Sequence, residues 1–108
     1  LQRTRDAGAE IVALLKQSSA YYAPASAVVQ MVEAILRDTR QVLPACVRLN
    51  GEYGLSDVCL GVPVELAAGG AARVVERPLT TQERQALHQA AQQVAAGIRR
   101  LGAVKAIA

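Results

Sequence analysis

The sequence predicts an α+β fold, an antiparallel three-stranded meander packed with three helices. Three observations carry that expectation. Apolar residues recur at helical spacing in two stretches before residue 40 and in one beyond residue 80. Between them the period changes to two, and glycine-marked turns divide the run into short strands. No strand–helix–strand unit carries a Gly-x-Gly-x-x-Gly turn, so the pattern does not describe half of a doubly wound parallel sheet.

The first helix is expected over residues 3–17. Ala7, Ile11, Leu14 and Leu15 share one face, and Arg3, Arg5, Asp6, Glu10 and Lys16 lie mostly elsewhere. Gly8 inside it costs about 1 kcal/mol against alanine, which a bend or a close helix contact would explain. Ser18, Ser19 and Ala20 then break the pattern. Pro24 suits the first turn of a second helix, where its missing N–H matters least, and that helix is expected to run to about Arg37. Val28, Met31, Val32, Ile35 and Leu36 make its apolar stripe, and Asp38-Thr39-Arg40 is the polar exit.

From Gln41 onward Ala45, Val47 and Leu49 face one way, while Cys46 and Arg48 face the other. Asn50 to Gly54 is a turn in which Gly51 and Gly54 permit positive φ. The return strand sets Val58, Leu60, Val62, Val64 and Leu66 on one face, opposite Cys59, Gly61, Pro63 and Glu65. Pro63 lacks a ladder donor, which argues for an edge strand or a bulge. Residues 67–70 form the next turn and residues 72–77 a third strand. Thr80-Thr81-Gln82-Glu83 then fits a capping box, with Thr80 as the cap. The last helix is expected to reach about Leu101 on a stripe of Leu87, Ala91, Val94, Ile98 and Leu101, leaving residues 102–108 as a frayed tail.

Composition narrows the function. The chain has 108 residues, 52% of them hydrophobic, with no Trp and no Phe, so Ala, Val, Leu and Ile must make the core and the isolated piece is expected to be modestly stable. The net charge of +3 comes from dispersed residues, without the basic stripe of a nucleic-acid binder. No apolar run approaches a membrane span and no signal sequence is visible, so a cytoplasmic protein is expected. A chain that opens on Leu1 within a helical pattern is what a segment of a longer polypeptide would show.

Among chemically versatile groups, none assembles into a site. His88, the only histidine, follows Leu87 by about 100° around the helix and is expected to be solvated. Cys46 and Cys59 fall short of the roughly four ligands of structural zinc, so two free thiols and no metal are expected. Tyr21 and Tyr22 are expected to pack at the start of the second helix with a hydroxyl reaching solvent. Asp57 and Glu65 lie roughly 26 Å apart along an extended strand, too far to cooperate as acid and base.

Four pieces in order resemble the NAD-dependent malate and lactate dehydrogenase family, in the carboxy-terminal part of its substrate domain and on the malate side. They are Thr4-Arg5-Asp6-Ala7-Gly8-Ala9-Glu10-Ile11-Val12, Ala20-Tyr21-Tyr22-Ala23-Pro24-Ala25, Gly51-Glu52-Tyr53-Gly54 through Gly61-Val62-Pro63-Val64, and Gly69-Gly70 with the final helix. The resemblance spans nearly the whole chain. It implies that residues 1–108 are a carboxy-terminal substrate-domain segment without the dinucleotide-binding domain. It further implies reversible hydride transfer between NAD and a small 2-hydroxy acid, here malate, a dicarboxylic acid. NAD would be bound mainly by the domain not included here.

The family's histidine, its partner aspartate, its arginines and its glycine-rich loop fall upstream of the matched region, so no residue of this chain is expected to be catalytic and the chain alone is expected to be inactive. What the resemblance does carry over is pocket wall at Ser19, Ala20 and Pro24, adjacent to substrate and nicotinamide. Ala20 stands where many lactate dehydrogenases have threonine, in keeping with the malate branch. Ser18 stands where glycine is common. The first helix lies at a subunit interface in the family, which implies a homo-oligomer, and Ala7, Gly8 and Ala9 suit close packing. Two alternatives share these residues: a lactate dehydrogenase segment, and an orphaned interaction or oligomerisation module that kept the fold without the chemistry.

Overall fold

The computed structural model describes residues 2–16 and 21–105, the last four by backbone alone. The order is α1 (Gln2–Leu15), α2 (Tyr22–Leu36), β1 (Gln41–Asn50), β2 (Ser56–Ala67), β3 (Gly70–Val74) and α3 (Thr81–Lys105), with a single 3-10 turn at Glu52–Gly54. The strands form one antiparallel meander in the order β1-β2-β3. The α+β expectation therefore holds, with β3 starting and ending earlier than residues 72–77 and α3 continuing past Leu101 to Lys105. The end of the expected tail, residues 106–108, lies outside the described residues.

The alternation of β2 decides which face is inside. Val58, Leu60, Val62, Val64 and Leu66 are all buried, and Leu49 of β1 joins them; Leu49 and Val64 are sealed completely. Ala34 of α2, Ala91 of α3, Tyr53 and Ala67 are also buried, and Met31, Ile35, Leu87, Ala90 and Val94 flank the core. Small residues at the two helix contacts let both helices sit close to the sheet, which is how a core without Phe or Trp closes.

Pro63 corrects an expectation. It lies on β2, the central strand, and not at an edge. In an antiparallel pair a residue's N and O point the same way, and the Pro63 carbonyl accepts from Val75 N at 2.8 Å, on the β3 side just past that strand's end. Pro63 therefore faces Pro44 as a pair that exchanges no ladder bonds, and the missing donor falls beyond the last residue of β3. Glu65 is a second correction: expected on the open face, it is buried, held by Arg73 at 2.7 Å and Arg40 at 3.6 Å.

The helices are less covered than their stripes suggest. No residue of α1 is buried, so Ala7, Ile11, Leu14 and Leu15 do not form a packed face here, and the space beside Gly8 is open. On α2 the packed face is Met31, Ala34 and Ile35, whereas Val28, Val32 and Leu36 of the expected stripe are exposed along with Val29. On α3 the stripe is covered from Leu87 to Val94, and Ile98 and Leu101 are exposed.

Candidate functional site

Of the residues expected to line a pocket, Pro24 is described and Ser19 and Ala20 lie outside the described residues. Pro24 is the third residue of α2 and exposed. The first backbone bond of that helix runs from Ala25 N to Tyr21 O at 2.9 Å, so Pro24 sits just ahead of the first donor the helix needs. Tyr21 and Tyr22 stack on each other, ring centroids 4.6 Å apart and tilted by 33°, and both rings are exposed. A hydrogen bond with Tyr22 raises the Tyr21 phenol above its ordinary range, with desolvation adding to it. The start of α2 thus presents two aromatic rings and a rigid proline together, and a groove of Val28, Val29, Val32 and Leu36 continues along the same helix.

The most tightly tied residue is one that periodicity did not single out. Tyr53 is buried at φ 55, ψ 17, left-handed backbone for a bulky side chain, between Gly51 at φ 115 and Gly54 at φ 71. Its N–H donates to Glu76 Oε2 at 2.8 Å, and its hydroxyl accepts from Arg77 N at 3.0 Å. The same hydroxyl reaches the Val75 carbonyl at 3.5 Å, the group that Pro63 cannot serve. Its own carbonyl accepts from His88 Nε2 at 3.1 Å. His88 is therefore half-buried and engaged, not a solvated helix residue; the 100° offset from Leu87 turns it toward the loop that lies beside the sheet. A tyrosine between two turn glycines, with a lone histidine on the helix that follows, is the only sequence signal of this arrangement.

Asp57 bonds Arg48 and Glu65 bonds Arg73, so the two carboxylates considered in the sequence have separate partners. Both cysteines are unpaired and lie on the exposed sheet face. Among the described residues no group of three or more His, Cys, Asp or Glu side chains could hold a metal ion, and no helix is long and apolar enough to cross a membrane. Nothing among these groups joins a proton donor to a carboxylate clamp.

A sequence model of the lactate/malate dehydrogenase alpha/beta C-terminal domain matches residues 1–104. A malate dehydrogenase of Roseiflexus castenholzii is 54% identical over 98 residues, covering 91% of this chain and 32% of that protein. The malate dehydrogenase structure from Salinibacter ruber superposes with a TM-score of 0.90 at 43% identity, covering 95% of this chain and 33% of the other. The lactate dehydrogenase of Eimeria maxima with NADH and oxamate gives a TM-score of 0.91 at 32% identity over 97% of this chain and 33% of the other. The chain thus spans about a third of the length of the relatives it matches.

Proposed function

The chain belongs to the lactate/malate dehydrogenase family, and on that premise we propose that it is the carboxy-terminal third of an NAD-dependent malate dehydrogenase. The intact enzyme would interconvert malate and oxaloacetate, and this segment would supply pocket wall and subunit interface. The observation that carries the malate reading is the 54% identity to the Roseiflexus castenholzii malate dehydrogenase, against 32% to the Eimeria maxima lactate dehydrogenase. Ala20 in place of threonine agrees with it. Ser19, Ala20 and Pro24 would face the substrate and the nicotinamide, with Pro24 holding the start of α2 rigid.

The dinucleotide does not fit these residues by themselves. The sheet of the described residues is wholly antiparallel, so it has no strand–helix–strand unit whose helix start could take a pyrophosphate. The family's proton-transfer histidine would likewise lie outside this segment; the one histidine here, His88, bonds the Tyr53 carbonyl. Both functions would come from the rest of the polypeptide.

The surface supports the same reading. The chain exposes 8478 Å², against roughly 5,800 Å² for a self-contained domain of its mass. Its radius of gyration is 16.6 Å, against roughly 13 Å for a compact chain of its length. The uncovered apolar faces of α1, α2 and the end of α3 are where a larger body and a second subunit would pack, giving a homo-oligomer. Two exposed thiols suit a reducing compartment, and a cytoplasmic location is part of this reading.

The test is a chimera. Residues 1–104 should replace the matching third of the Roseiflexus castenholzii malate dehydrogenase and leave an enzyme that reduces oxaloacetate with NADH in preference to pyruvate. The 108-residue chain alone should show no turnover. A folded, oligomeric chimera without oxaloacetate reductase activity would sink the proposal.

A further inference from the structure

The outer sheet face carries a pair of thiols that the dehydrogenase reading does not use. In register, Cys46 of β1 stands opposite Gly61 of β2, and Arg48 stands opposite Cys59. The two thiols are therefore diagonal neighbours on one face, and both are exposed. The space between them is clear, because Gly61 has no side chain and nothing lies where its Cβ would be. Arg48, opposite Cys59, pairs across the strands with Asp57 of β2.

The spacing decides what can join them. Diagonal Cα atoms are about 7–8 Å apart, beyond the roughly 4.4–6.8 Å of a disulfide. A metal ion with bonds of about 2.3 Å to each sulfur spans a wider gap than a sulfur–sulfur bond of about 2.05 Å. Among the described residues no third His, Cys, Asp or Glu joins them, so the chain supplies two donors, short of the four of a closed structural site. We propose that Cys46 and Cys59 form a two-coordinate site for a soft monovalent cation of the copper(I) type. Binding releases both thiol protons, M⁺ + 2 RSH → M(SR)₂⁻ + 2 H⁺, with no change of oxidation state. The product is an anion, and Arg48 across from Cys59 is the cation beside it.

Silver(I) is the redox-stable probe. Native mass spectrometry of the 108-residue chain should show one silver per chain, with both thiols protected from alkylation. Cys46→Ser and Cys59→Ser should each weaken binding at least a hundredfold. Gly61→Val keeps both thiols but fills the centre, and should weaken binding at least tenfold. Two independent silver ions per chain, protection of one thiol only, or a single-serine variant that binds as tightly as the parent would overturn the site. None of these readouts depends on dehydrogenase activity.

Discussion

At the scale of single residues, Tyr53 joins the meander to the last helix. It is buried and left-handed, a backbone state that costs a non-glycine residue roughly 1–2 kcal/mol. Bonds to Glu76, Arg77 and His88 over-determine it. Tyr53→Phe keeps the ring and leaves Arg77 N–H without its acceptor, so it should lower the unfolding free energy by about 1–2 kcal/mol. His88→Ala should cost about 1 kcal/mol, and the double variant should cost less than the sum, because both changes loosen one loop. Urea denaturation measures all three; strict additivity would show that the loop is not a single unit. The glycines at 51 and 54 announced a turn, and both carry positive φ. That Tyr53 joins them, and that His88 bonds it, was not legible. Helical period tells which side meets the sheet, not which loop lies over the neighbouring side.

At the scale of elements, the best-read features were local in sequence. The capping box is formed in full: Thr80 Oγ1 accepts from Glu83 N at 3.3 Å, and Glu83 Oε2 accepts from Thr80 N at 2.8 Å and Oγ1 at 2.7 Å. These bonds, the backbone one first, hold the Glu83 carboxyl below its ordinary range. A depressed carboxyl contributes stability that is present above the unfolded pKa, about 4.3, and is lost as pH falls through the folded value. Glu83→Gln should therefore flatten the fall in stability on acidification below about pH 4.3. A variant with the parent's acid slope would show that the cap does not titrate with folding.

The end of α2 was less legible. Thr39 N donates to Ala34 O and Asp38 N to Ile35 O, a Schellman arrangement in which Asp38, at φ 47, takes the place glycine usually fills. The sequence shows only a polar exit there, because the reason for aspartate is distant: its Oδ1 accepts from Ala68 N in the β2–β3 turn at 3.0 Å. Asp38→Gly trades that bond for an unstrained backbone and should be within about 0.5 kcal/mol of neutral. Asp38→Ala loses the bond and keeps the strain, and should cost about 1–2 kcal/mol by thermal or urea unfolding. Pro63 misled for a related reason: the edge rule assumes a ladder bond on either side, and here the donor side runs past the end of β3.

At the scale of the whole molecule, periodicity identified apolar faces but could not say what covers them. Both kinds of face read alike in sequence. Met31 and Ile35 pack against the core, whereas Val32 and Leu36, one residue further round α2, are exposed. If that outer face belongs to contacts beyond the segment, Val32→Thr with Leu36→Gln should change the unfolding free energy of the isolated chain by less than about 0.5 kcal/mol. Val64→Ala, in the sealed core, should cost about 2–3 kcal/mol. In the chimeric enzyme the same outer pair should become expensive, weakening subunit association or lowering the unfolding midpoint, because exposed positions would there be interior ones. Amide exchange gives an independent reading of the same division. α1, with no buried residue, should exchange nearly freely in the isolated chain, while β2 exchanges last. An α1 as protected as β2, or an outer pair that destabilises the isolated chain as much as Val64→Ala, would mean that the segment covers these faces itself.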